Sequence, residues 1–156
     1  MSEDRMIHRP TQGGYRWQGV EHLPYKEDDR ALFSAISRQV LFSDPQLEGE
    51  LRYFEMAPGG FSTLERHEHV HAVLILRGRG HCLVGDKVRR IEAHDLISVP
   101  SWTWHQFRAT LGEPLGFLCM VNCRRDKPQL PTDEDLARLR ANPSIDAFLR
   151  NQPAMD

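Results

Sequence analysis

The sequence predicts an all-β fold, a double-sheet barrel of jelly-roll type (a double-stranded β-helix), with an N-terminal arm and short C-terminal helices. Two observations carry this expectation. Between Leu51 and Val121 short apolar runs recur, closed by turn residues such as Ala57-Pro58-Gly59-Gly60, Gly78-Arg79-Gly80 and Gly85-Asp86. Strands this short and this frequent pack as two facing sheets. After Arg125 the apolar spacing changes to one that suits helices. With 156 residues, 40% apolar and 27% charged, the chain reads as one ordinary globular domain. The expected organisation is an arm at 1–30, a barrel at 31–125 and a helical appendage at 126–156.

Charge excludes some partners. The net formal charge of −2 comes from mixed signs without long blocks, which argues against a nucleic-acid or membrane-surface partner. Arg89-Arg90 and Arg124-Arg125 read as solvated edges. No apolar run reaches the length of a membrane span and the N-terminus has no signal-like core, so a cytoplasmic location is expected. Cys82, Cys119 and Cys123 are odd in number and lack a C-x2-C pair. They read as reduced, buried core residues. Cys119 and Cys123 would share a strand face, and a role near a metal is the less favoured alternative.

In chain order, residues 1–30 show no period of 2 or 3.6, yet Tyr15, Trp17 and Tyr25 are too many aromatics for a solvated tail. An arm that packs on the barrel or reaches a second subunit is expected, and with it a homodimer. His8 and His22 have no ligand partners at metal spacing and read as exposed. Ala31–Phe42 fits a helix by its apolar positions, but its second half fits a strand, and the β-rich surroundings favour a strand at 37–42. Strands are expected next at 51–56 and, after the turn at 57–60, at 64–77, bent or bulged in its polar half. A hairpin follows (81–84 and 88–91), then strands at 96–99, 105–110 and 115–121. Thr132 is placed to cap a helix over DEDLARLRA, which Pro143 ends; Ser144 is placed to cap a second. Leu136, Leu139, Ile145, Phe148 and Leu149 would dock these helices on the barrel.

Chemistry concentrates in Gly59–Gly78. Glu65, His67, His69 and His71 alternate, and in an extended strand they share one face. Imidazole and carboxylate donors suit a divalent ion such as Mn, Fe, Zn or Ni. An exposed polar hairpin is the plainer alternative. Trp102 and Trp104 stand close before His105; they either wall a pocket mouth or pack against the arm or a second copy. Phe54, Val73, Ile75, Phe107 and Phe117 read as barrel core, some of them lining the pocket.

The stretch resembles the cupin family, whose first motif is written G-x5-H-x-H-x3,4-E-x6-G. Gly59, Glu65, His67, His71 and Gly78 keep every interval, with the ligand types changed to Glu, His, His. In the second motif, G-x5-P-x-G-x2-H-x3-N, the interval from Pro100 to His105 is kept. His94 stands where the opening Gly is usual, Trp102 replaces the inner Gly, and Ala109 the closing Asn. The resemblance covers about residues 51–122. It implies one divalent metal ion on Glu65, His67, His71 and His105, with open positions for water or substrate. It leaves His69 as a second-shell or substrate-contacting residue, or as an alternative ligand to Glu65. Substrate-contacting candidates are His69, Trp102, Trp104 and Phe107.

Two function classes follow from that resemblance. One is a metal-dependent enzyme acting on a small organic molecule, of dioxygenase, isomerase or lyase type. The other is a non-catalytic cupin that binds a small ligand or senses it. No residue outside the metal set names a catalytic base, and fold alone does not choose a reaction.

Overall fold

Apolar alternation from Ser34 onward produces an antiparallel sheet that curls on itself into the expected all-β form. The computed structural model describes residues 7, 9–11, 15–24 and 34–151. His8, Tyr25 and residues 31–33 lie outside these. The strands among the described residues are β1 (Leu23–Pro24), β2 (Ser34–Ser43), β3 (Gly49–Phe61), β4 (His71–Arg77), β5 (Arg79–Val84), β6 (Lys87–Glu92), β7 (Leu96–Val99), β8 (His105–Ala109) and β9 (Leu115–Asn122). The helices are α1 (Asp133–Arg140) and α2 (Pro143–Leu149). The main path runs β6-β5-β8-β3-β9-β4-β7, with β2 beside β3 and β1 beside β2.

Long β3 joins the two halves. Its residues 49–56 pair with β9, and Phe61 at its far end pairs with Arg108 of β8. The turn expected at 57–60 is therefore not a turn, because the strand bends and continues. Gly59 makes the bend with φ +75, while its N–H still bonds the Thr110 carbonyl at 2.7 Å. Gly78, at the β4–β5 junction, has φ +80, and a Cβ there would stand 1.8 Å from the Pro114 carbonyl oxygen. Both glycines of the first motif are thus backbone requirements. His94 and Trp102 have φ of 78 and 54. These departures from glycine in the second motif keep the left-handed backbone that glycine adopts freely, at some strain.

Other boundaries moved. The strand expected at 37–42 begins by Ser34. The strand expected at 64–77 begins only at His71, because residues 62–70 form a loop tied by isolated bridges, Glu65 to His105 and Arg66 to Gln129. Inside the barrel, Phe54, Met56, Val73, Ile75, Phe107, Leu115 and Phe117 form the buried core. Each contributes roughly 1.5–3 kcal/mol by leaving water.

Helix α1 starts as expected: Thr132 accepts from the Asp135 N–H and the Asp135 carboxylate accepts from the Thr132 N–H. Helix α2 is capped by Asn142, with Pro143 in its first turn. The first helix ends before Pro143 as expected, but the cap of the second is Asn142 and not Ser144, since Pro143 takes the first-turn position whose N–H would go unused. Ile145 and Phe148 bury against Leu64 and Leu83, flanked by Leu136, Leu139 and Leu149. Of the arm, Tyr15 and Trp17 pack on buried Tyr53, at ring centroids of 5.9 and 4.6 Å. Buried Gln39 clamps them, accepting from the Trp17 N–H and donating to the Tyr15 carbonyl. These residues therefore cover their own barrel. No described helix is long and apolar enough to cross a membrane.

Candidate metal centre

Three elements bring three imidazoles together. His71 opens β4, His105 opens β8, and His67 comes from the loop between β3 and β4. That loop is stitched to β8 by reciprocal main-chain bonds between Glu65 and His105, 3.2 and 3.0 Å, and Trp102 N–H holds the His67 carbonyl at 2.7 Å. One ring nitrogen from each of His67, His71 and His105 lies within 4.8 Å of the other two. The loop bends at Glu68–His69, where the Asp126 carboxylate accepts both backbone N–H groups, 2.8 and 3.0 Å. This bend breaks the strand alternation and takes His69 out of the trio. His69 instead stacks on His67, centroids 3.6 Å apart, with its Nδ1 2.7 Å from the Asp126 carboxylate.

Hydrogen bonds assign the tautomers. His67 Nδ1–H donates to the His69 carbonyl at 2.7 Å and His105 Nδ1–H to the Thr103 carbonyl at 2.9 Å. Each therefore presents an unprotonated Nε2. His71 Nδ1 lies 3.3 Å from Cys119 Sγ, and its Nε2 lies 3.3 Å from that of His105. Burial first, then repulsion from His105, holds His71 down to about 2. Burial holds His105 down to about 4 and also lowers His67. The three rings are neutral at pH 7, the form that ligates metal.

The donor set fits a divalent ion. His105 Nε2 faces His71 Nε2 with no donor of its own, so a proton or a cation must lie between them. Partners on the far nitrogen, a carbonyl for His67 and His105 and the Cys119 thiol for His71, are the arrangement that orients metal ligands. A cavity of about 560 Å³ opens beside them, lined also by Glu65, His69, Phe54, Phe107, Phe117, Cys119 and Asp126.

Of the residues expected at the site, Glu65 lies buried on the cavity wall but outside the mutually close trio. Phe107 lines the cavity. Trp102 and Trp104 do not. Trp102 is half exposed, and Trp104 packs with the C-terminal helices under the Arg66 guanidinium, 4.5 Å from the ring. Among the described residues its cover is thus the C-terminal helices and Arg66. Cys119, the less favoured metal neighbour, is in the cavity beside His71. Cys123 is exposed, because β9 ends at Asn122. Asp126 and the cavity arginines Arg38, Arg52 and Arg125 were not singled out as site residues. Only Arg125 was noticed, and as a solvated edge.

Comparisons with known proteins identify the family. The cupin domain model matches residues 52–121. A relative from Rhodospirillum rubrum named 1-methylthio-D-xylulose 5-phosphate methylsulfurylase is 59% identical over 148 residues, 95% of each chain. The chain belongs to the cupin family. Its barrel also matches the crystal structure of a cupin-2 domain protein from R. rubrum, with TM-score 0.87, 58% identity, and 94% and 98% of the two chains covered. A cupin 2 conserved barrel protein from Rhodopseudomonas palustris matches with TM-score 0.85, 54% identity, and 91% and 97% covered.

Proposed function

We propose that this cupin is a metal-dependent enzyme that passes the methylthio group of a ketose phosphate, the substrate type for which its R. rubrum relative is named, to the Cys119 thiolate as a mixed disulfide. The C–S electron pair stays on the ketose carbon to take a proton, and an added dithiol then releases methanethiol and restores the thiol. The observation that carries the reading is a thiol in the same cavity as the imidazole trio: Cys119 Sγ, 3.3 Å from His71 Nδ1. Burial pushes this thiol up, and the Arg52 guanidinium, with Nη2 at 3.9 Å, pulls the other way. A bound divalent ion (Mn, Fe, Zn or Ni) would supply Lewis acidity toward a substrate oxygen. His67, His71 and His105 would hold it, and we take Glu65 as the fourth donor. Phe54, Phe107 and Phe117, stacked at 5.5 and 5.3 Å, give the apolar wall for the methylthio end. His69, held by Asp126, stands at the rim toward substrate.

Metal-loaded protein should consume 1-methylthio-D-xylulose 5-phosphate in the presence of dithiothreitol, followed by mass spectrometry. Cys119→Ala should lower kcat by about a thousandfold with metal content unchanged, as loss of a reacting group does. A metal-loaded wild type with no turnover would contradict this and leave the non-catalytic ligand-binding cupin.

For the partner we propose a second copy. Leu74, Leu96 and Met120 are exposed on the outer sheet face, with Leu74 paired to Leu96 and Met120 to Ala72. Such an apolar patch favours a partner. Sedimentation should give a homodimer that Leu74→Lys with Met120→Lys separates; a monomeric wild type would refute it. We place the reaction in the cytoplasm, where the free Cys82, Cys119 and Cys123 stay reduced.

A further inference from the structure

We infer that Arg38, with Arg52 and Arg125 beside it, forms the subsite that takes the phosphate of a phosphomonoester ligand. This rests on the proposal that a small phosphorylated molecule occupies the cavity.

Arg38 sits on β2 opposite Phe54 of β3, and both line the cavity. Arg52, two residues along β3, is therefore its diagonal neighbour on the same face, about 7–8 Å away between backbones and within reach of long side chains. The Nε groups of Arg38 and Arg52 are both buried without a hydrogen-bond partner. No carboxylate among the described residues pairs with Arg38. Arg125 reaches the same cavity, with Nη1 donating to Glu50 at 2.9 Å and to the Asn122 carbonyl at 2.8 Å. Glu50 also lies 3.7 Å from Arg52 Nε.

Arg52 and Arg125 thus share one carboxylate, that of Glu50. Asp126 is turned to His69 and to two backbone N–H groups. Leu23 of β1 pairs with Arg38, and Leu23 and Pro24 also line the cavity. A guanidinium N–H shielded from water without a hydrogen-bond partner is costly, and the guanidinium fork matches phosphate oxygens. Metal donors and an arginine with an unpartnered Nε in one cavity fit a ligand with an oxygen-bearing carbon chain and a terminal phosphate. A ketopentose 5-phosphate has that form.

The test is titration of metal-loaded, full-length protein with D-xylulose 5-phosphate and with D-xylulose by calorimetry. Wild type should bind the phosphate ester at least about a hundredfold more tightly, as charge-assisted contacts predict. Arg38→Ala should cut that ratio by about tenfold or more, Arg38→Lys should restore part of it, and affinity for D-xylulose should stay the same. A wild type with no preference for the ester, or an Arg38→Ala protein that keeps the whole preference, would overturn the subsite. Both readouts are of binding, so a failure of the methylthio reaction with the preference intact would count against the reaction alone.

Discussion

Replacing His67 and His105 together by alanine should remove stoichiometric metal while leaving a folded β-barrel. Two of the three neutral donors disappear, and a lone His71 with Glu65 nearby does not make a site. Affinity should fall by more than about 100-fold, since even the outer partners of metal ligands cost 10–100-fold. The fold should survive because the barrel core of Phe54, Val73, Ile75 and Phe117 does not include these histidines. The double variant leaves the His69 and Thr103 carbonyls without imidazole donors, at about 1 kcal/mol each. Elemental analysis beside a circular dichroism melt reads both effects. A full equivalent of metal in the variant would refute the assignment. In the wild type the histidines with the lowest pKa values, near 2 for His71 and near 4 for His105, should keep protons from competing with metal at mildly acidic pH. A folded pKa below the ordinary value means the neutral, ligating ring persists as pH falls through the usual histidine range. Metal retention should therefore persist as pH falls through the ordinary histidine range, since burial lowers all three rings.

Glu65→Gln should weaken metal binding sharply, and His69→Ala should change it little. Glu65 occupies the first ligand position of the cupin spacing and lies on the cavity wall, bonded through its main chain to His105. The amide keeps the shape but removes the charge, and a neutral oxygen is a poorer donor to a divalent ion. His69 is committed elsewhere: its Nδ1 faces Asp126 and its ring lies flat on His67. Its loss removes a stacking neighbour, which costs orientation and not a ligand bond. Parallel metal titrations at one pH separate the two. If His69→Ala does the damage and Glu65→Gln is silent, His69 is the fourth ligand and the bend at Glu68–His69 must open when metal binds.

Much of the barrel was legible because its strands are bounded by residues with single meanings. Gly85 closes the β5–β6 hairpin, and β7 falls on 96–99 as read. The imidazoles were legible for the same reason: the motif glycines are fixed by positive φ, so the intervals between them carry the ligand positions. What alternation misjudged was the loop 62–70, because Asp126, far along the chain, pins the bend that separates His69 from His67 and His71. Nothing local to Arg124-Arg125-Asp126 marks that role. The cavity arginines were hidden likewise. Arg38 and Arg52 face inward only because of the β2–β3 register, which no short pattern displays. The packing of Trp104 was not legible because the helices that cover it lie far along the chain.

The most direct test is a crystal structure of the metal-loaded protein with diffraction data at the absorption edge of the bound ion. One anomalous peak is expected inside the cavity, at about 2.0–2.2 Å from a ring nitrogen of each of His67, His71 and His105, with Cys119 beside it. Metal present at one equivalent but bound away from these three imidazoles would contradict the central claim.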